Sequence, residues 1–193
     1  MKFQSSNVLE EMMANEAARR RWVVDASPHP VAELTEGRAV VRGDICRLLG
    51  SPVVATLDLL EDAPQQEQLA VGEVSVRIQH SRGDRVEVNK LCRPFVLRDA
   101  TGDILVHLDQ NRDAPDLFLQ GSYQFYGNRI DGLLIPCAML GDEVVVAGTV
   151  RVAHGSNLAS REALPSRNEP SLLAIEACAI YDVDSWALLI RHR

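Results

Sequence analysis

The chain predicts a mainly β fold, a closed or partly open antiparallel β-barrel with an N-terminal helix. Three observations predict it. Short runs rich in valine and isoleucine alternate with polar residues, as at 73–79, where Val74, Val76 and Ile78 share one face. Turn residues separate these runs, and Gly43 and Gly148 fall inside two of them, where barrel strands bend. Clear helical spacing is read only near the N-terminus, at residues 6–22.

The elements follow in order. Residues 6–22 read as a helix: Val8, Leu9, Met12, Met13 and Ala17 recur at helical spacing, and Ser5, Ser6 or Asn7 can cap the first turn. Glu10 and Glu11 lie near its positive end and Arg19, Arg20 and Arg21 near its negative end. Such a helix either docks on its own barrel or serves as a handle for a partner. Pro28 and Pro30 stop helix propagation, so residues 26–30 form a linker. A first strand covers 38–45, and Gly43 marks a bulge or bend in it. Residues 53–60 are a second strand candidate and 62–69 a polar loop. The 73–79 run, a turn at 81–84 and the pair Val86 and Val88 make a hairpin.

Residues 94–99 and 104–108 make the next hairpin. Asp99 and Gly102 are its structural turn residues: Asp99 hydrogen-bonds the turn backbone, and Gly102 supplies a positive φ. Residues 109–120 are acidic and irregular, with one helical turn near Asp116. Residues 123–126 and 129–135 form another hairpin around Gly127 and Asn128. The valine-rich run 142–152 is the strongest strand, 154–170 a long polar loop, and 172–180 a final strand. Ser185 caps a short C-terminal segment, Trp186 to Ile190. The expected organisation is a helix and linker over 1–30, a barrel over 31–180, and a tail or short helix over 181–193. Eight or nine short strands with glycine-marked bends describe an OB-like barrel, or one only partly closed.

Composition narrows the chemistry. The chain's 193 residues suffice for one domain with a real core. A formal net charge of −7 disfavours general affinity for nucleic acid or anionic lipid. Aromatic residues make up 5%, which leaves few rings for stacking bases. Cys46, Cys92, Cys137 and Cys178 lie far apart without a paired C-x-x-C, so they read as four buried thiols and not as zinc ligands. The polar residues 1–7 lack the apolar stretch of a signal peptide, and the longest apolar runs fall short of the ~20 residues that cross a bilayer. The expected compartment is the cytoplasm.

Three stretches carry a family resemblance. The first strand opens Gly37-x-x-x-x-x-Gly43, followed by Ser51-Pro52. The central hairpin reads Pro94-Phe95-Val96-Leu97-Arg98-Asp99-x-x-Gly102-x-Ile104-Leu105-Val106, and a later strand reads Gly141-Asp142-Glu143-Val144-Val145-Val146-Ala147-Gly148. Together, over roughly residues 37–179, they resemble the GIDE-type, or beside-a-membrane (BAM), domain. That family includes the domain between two membrane helices of mitochondrial outer-membrane E3 ubiquitin ligases, and many bacterial proteins. The resemblance implies a barrel-like domain without catalytic residues. The chain lacks the RING and the membrane-spanning helices of the ligases, so ubiquitin transfer is not implied.

No P-loop, dinucleotide-binding glycine motif, H-E-x-x-H or G-x-S-x-G occurs. His29, His80, His107, His154 and His192 are not spaced as a metal set. Asp99 and Asp103 flank a turn, where carboxylates bind backbone. His154 and Ser156 are sequence neighbours without a carboxylate to orient the histidine. No catalytic residue, metal or cofactor is expected. One charge constellation stands out. From Arg77 to Arg98 the chain places six cations against Asp84 and Glu87. Arg77, Arg82, Arg85, Lys90 and Arg93 are the candidate binding face, for an acidic partner or a phosphate backbone. The expected function is a noncatalytic interaction or scaffold module that binds a protein partner. The alternative is an OB-like single-stranded nucleic-acid-binding domain that uses this hairpin. The apolar segment Trp186 to Ile190 offers a peripheral membrane contact as a further possibility.

Overall fold

The computed structural model describes residues 5–50, 68–79, 83–108, 115–126, 130–153 and 172–193. The helix expected at the N-terminus is two: α1 (Ser5–Arg19) and α2 (Arg21–Asp25). The described strands are β1 (Gly37–Leu48), β2 (Leu69–Ile78), β3 (Arg85–Cys92), β4 (Phe95–Arg98), β5 (Asp103–His107), β6 (Asp116–Phe118), β7 (Gly121–Tyr126), β8 (Ile130–Met139), β9 (Glu143–Ala153) and β10 (Leu172–Asp182). Helix α3 (Val183–Leu189) follows. The strand candidate at 53–60, the turn residues 81 and 82, and the loop at 154–170 lie outside the described residues.

Strand pairing closes a ring. β1 pairs with β4, β4 with β5, β1 with β9 and β9 with β10, all antiparallel. The circle is completed where Ala174, Ile175 and Glu176 of β10 run parallel to Leu105, Val106 and His107 of β5. The fold is therefore mainly β and barrel-like, as the alternation predicts, but not wholly antiparallel. The remainder of β10 pairs, again in parallel, with β6. That pairing corrects the helical turn expected near Asp116: Leu117 and Phe118 lie on a strand, drawn out by the open edge of β10. A second, antiparallel sheet has the order β3-β2-β8-β7.

Two apolar clusters hold these layers. Inside the ring lie Val41, Ile45, Phe95, Leu97, Ile104, Val106, Val144, Val146, Ile175 and Ile180, among others. Outside it, Met13, Ala17, Val23 and Val24 of the helices meet Val40, Val145, Ala147, Ala179, Tyr181, Trp186 and Leu189. The valine run of β9 is thus buried on both faces, which explains why it is continuous rather than alternating. Helix α1 docks on its own barrel through Met13 and Ala17, while Val8 and Met12 are exposed. The cap of α3 is Asp182, whose Oδ1 accepts from the Ser185 amide at 2.7 Å, in place of the expected Ser185. The indole of Trp186 meets the Tyr181 ring edge-on at 5.7 Å, and Trp186 and Leu189 are buried in the outer cluster. Those two side chains are occupied by the protein's own core.

Two glycines permit close approach of neighbouring strands. A Cβ at Gly43 would lie 2.3 Å from the Arg98 carbonyl oxygen, and one at Gly148 would lie 2.2 Å from that of Glu176. Both neighbours are backbone and cannot yield cheaply. Gly148→Ala is expected to lower stability by about 1–3 kcal/mol through overpacking, read as a shift in urea midpoint at constant slope.

Candidate functional site

The sheet β3-β2-β8-β7 begins in the core and leaves it. Leu69, Ala70 and Val71 of β2 are buried, with Cys92 of β3 and Ala138 of β8 beside them. Further along, Glu73 and Ser75 are half-buried and Arg77 is exposed. The cross-strand register explains this gradient. Val71 sits opposite Cys92, Glu73 opposite Lys90, Ser75 opposite Val88 and Arg77 opposite Val86. Side chains alternate strictly between faces. The face that is buried at Val71 and Cys92 therefore continues outward through Lys90, Val88, Val86 and Arg77. Val86 is 59% exposed and Val88 57%. Among the described residues no strand pairs with the outer edge of β3. An exposed edge with adjacent apolar side chains is a pairing template that proteins ordinarily cover or blunt.

The predicted basic face divides. Arg77, Arg85 and Lys90 are exposed on this arm. Arg82 lies outside the described residues. Arg93 does not belong to the face. It is 6% exposed, and its Nη1 donates to the Gly50 carbonyl at 3.2 Å. Its backbone amide also donates to the Ala70 carbonyl at 3.1 Å. Arg93 lies between Cys92, the last residue of β3, and Pro94, and these contacts let it anchor the base of the arm. Arg98, the last cation of the run, is engaged by Asp103, Nε to Oδ1 at 2.7 Å and Nη2 to Oδ2 at 2.8 Å.

The turn residues behave as local chemistry predicts in one case and not in the other. Asp99 Oδ1 accepts from the Thr101 amide at 2.7 Å, the Thr101 hydroxyl at 2.7 Å and the Gly102 amide at 2.9 Å. Its Oδ2 accepts from the Val31 amide at 2.8 Å, fastening the chain after the linker to the barrel. Gly102 has no positive φ; that expectation is corrected. A Cβ there would instead press on Val31 Cγ1 at 3.3 Å.

One buried polar cluster escaped sequence reasoning. Glu16 is 3% exposed beneath α1. Its Oε1 accepts from the Tyr181 hydroxyl at 2.8 Å and from Arg20 Nη1 at 2.9 Å, and its Oε2 from Arg19 Nη2 at 2.7 Å. Arg20 Nη2 also reaches Asp116 at 2.7 Å, and Arg19 binds the same carboxylate. Burial and the Glu16 carboxylate push the Tyr181 phenol well above its ordinary range. All of its groups are satisfied by one another, so the cluster fixes the helix on the barrel.

The thiols divide as well. Cys92 and Cys137 are buried, whereas Cys46 and Cys178 are half-buried. Burial pushes Cys92 up to about 11, which leaves it protonated and unreactive at neutral pH. Among the described residues no three histidine, cysteine or carboxylate side chains gather as a metal set, and no helix is long and apolar enough to cross a membrane. An open cleft of about 350 Å³ is lined by Asp142, Glu143, Asp182 and Asp184 beside Cys137. Three of those carboxylates already serve the fold. Asp142 accepts from the Met139 amide, Glu143 binds Arg42, and Asp182 caps α3. No family model, curated protein or solved structure is significantly similar to the chain.

Burial by itself would raise the Asp99 and Asp116 carboxyls. The donors around Asp99, and the guanidinium groups of Arg19 and Arg20 around Asp116, outweigh it and hold both below the usual range. A carboxyl that titrates lower when folded stabilises fully above its unfolded value, near 4, and loses that contribution as pH falls through the folded value. Thermal melts are therefore expected to change little from pH 7 to about 5 and to decline below about 4. Asp99→Asn is expected to cost about 1 kcal/mol at pH 7 and to weaken that acid dependence.

Proposed function

We propose that this chain is a noncatalytic interaction module of the GIDE-like type, which offers the outer edge of β3 to a protein partner. The observation that carries the reading is the pair Val86 and Val88, more than half exposed beside Arg77, Arg85 and Lys90 on an edge that no strand among the described residues pairs. Strand addition supplies affinity through main-chain hydrogen bonds and specificity through alternate side chains. The rest of the molecule supports that role. The ring, the two apolar clusters and the Glu16 network make a rigid base, and the arm projects from it. The charges beside the valines are of both signs, Arg85 and Lys90 with Asp84 and Glu87, and would favour a partner whose charges complement that order.

The chain's two lysines, Lys2 and Lys90, make the reading directly testable, because Lys90 lies on the arm. Amine cross-linking in native lysate is expected to join a partner at Lys90, and Val88→Lys to reduce capture about tenfold, the loss expected for an apolar anchor. Partner capture unchanged by Val88→Lys would remove the edge from the interface.

One observation favours a second reading, single-stranded nucleic-acid binding on an OB-like barrel. The ring order β1-β4-β5-β10-β9, with its parallel β5–β10 pair, supports an OB-like assignment. The β2–β3 hairpin is inserted between the ring's first and second strands, where OB folds carry one of their binding loops. Three exposed cations, at ~0.7 per phosphate for a single strand, predict a slope of about −2 in log affinity against log salt. Fluorescence anisotropy with an oligonucleotide measures it, and Arg77→Glu with Arg85→Glu is expected to flatten it. Salt-independent binding, or none at low salt, ends this reading. It is the weaker one: on β4 and β5, Phe95 is spent in the core and no other phenylalanine, tyrosine or tryptophan is present to stack a base.

A further inference from the structure

We infer that a partner for the arm is a second copy of this chain, joined by antiparallel pairing of β3 with β3 about a two-fold axis at Glu87. This rests on the edge reading above and names its occupant. The sequence of the edge is self-complementary in that register. Val86 falls opposite the copy's Val88, and Val88 opposite its Val86. Asp84 falls opposite the copy's Lys90, and Lys90 opposite its Asp84. Four valines, each now more than half exposed, come together on one face, flanked at both ends by opposite charges. Asp84 and Lys90 are both exposed and available to such a pairing.

The other face sets one like-charge pair at the axis, which opposes pairing and is outweighed by the four valines and two opposite-charge pairs. Glu87 falls opposite its own copy at the axis, and Arg85 of each chain occupies the diagonal position next to it. A shift of one residue sets Arg85 opposite Lys90 and loses the valine match. From Asp84 to Lys90 the strand carries two carboxylates and two cations, Asp84 and Glu87 against Arg85 and Lys90. The edge is therefore locally neutral although the chain carries −7, and at physiological salt charges beyond ~8 Å are screened. The result would be one continuous eight-stranded sheet, β7-β8-β2-β3 in each copy, closing as a dimer and leaving no free β3 edge.

Sedimentation velocity of the full chain over a concentration series tests the dimer. A small interface of this kind predicts a dissociation constant on the order of 10–100 μM. Asp84→Lys and Lys90→Asp each set like charges opposite one another twice per dimer and are expected to weaken self-association about tenfold. An equimolar mixture of the two variants restores both opposite-charge pairs and is expected to dimerise about as well as the wild type. A wild-type chain that stays monomeric at every concentration overturns the inference, as does a dimer that Asp84→Lys leaves unchanged. Lys90 faces Glu73 within the chain, so Lys90→Asp can loosen the hairpin. Asp84 lies outside the strand pairing, and its variant decides the matter alone. A monomeric chain whose capture of a different protein is abolished by Val88→Lys refutes the dimer and leaves the proposed function standing.

Discussion

The architecture depends on a one-residue irregularity in β10. Its register against β9 shifts between Ala177 and Ala179, so Cys178 is an extra residue on that strand. A strand's side chains alternate with a period of two, and one added residue exchanges its faces. Before the shift, Ile175 and Ala177 face the ring interior; after it, Ile180 does. Ala179 and Tyr181 are thereby turned outward to the helices. The same irregularity separates the two partners of β10. The residues before it pair with β5 and close the ring, and those after it pair with β6. Were the same residues to alternate strictly with no irregularity, Tyr181 would enter the barrel and the helical layer would lose its central ring.

The outward turn of Tyr181 explains why α1 is held where it is. The phenol stacks on Phe118 at 5.0 Å and donates to a buried carboxylate, Glu16. Burying that carboxylate costs several kcal/mol unless strong donors surround it, and Arg19, Arg20 and Tyr181 supply them. Arg19 and Arg20 are shared with Asp116 on β6. The network thus ties α1, β6 and β10 together. The chain's far end reinforces it: Arg193 donates to the Asp25 carbonyl at 2.9 Å, and Arg21 to that of His192 at 3.2 Å. The helices act as a brace across the outer face of the ring and not as a free handle. What remains unbraced is the arm.

How much of this was legible in sequence follows from range. Hairpins β2–β3, β4–β5 and β7–β8 were readable because alternation and turn residues are local signals. Asp99 was readable for the same reason. Its ligands Thr101 and Gly102 are sequence neighbours, although its hold on Val31 is not. Gly102 was misread because the constraint on it comes from Val31, across the fold, rather than from its own turn. Met12 and Met13 are equally apolar, and only docking decides that Met13 is buried and Met12 exposed. The parallel β5–β10 pair and the Glu16–Tyr181 bond join residues too distant for any periodicity to connect. In the candidate site, charge spacing found Arg77, Arg85 and Lys90. It could not separate them from Arg93, because a buried guanidinium and an exposed one look alike in a sequence.

The contrast between brace and arm is what gives the functional reading its content. Elsewhere among the described residues, several exposed charges are engaged in pairs: Arg42 with Glu143, Arg98 with Asp103, Arg151 with Glu176. Such exposed pairs contribute little to stability, but they remove charges from the surface available to partners. The arm differs in its exposed apolar side chains, Val86 and Val88. Apolar side chains stand exposed at the edge, and the cations beside them lie along a strand whose outer side no described strand pairs. A strand of this composition is ordinarily blunted by proline, a bulge or a cover, because it invites association. β3 carries no proline, and its register against β2 runs unbroken from Val71–Cys92 to Ile78–Arg85. A regular ladder held to the end of the arm keeps both the valines and the charges at fixed spacing, which is the property a complementary strand would read.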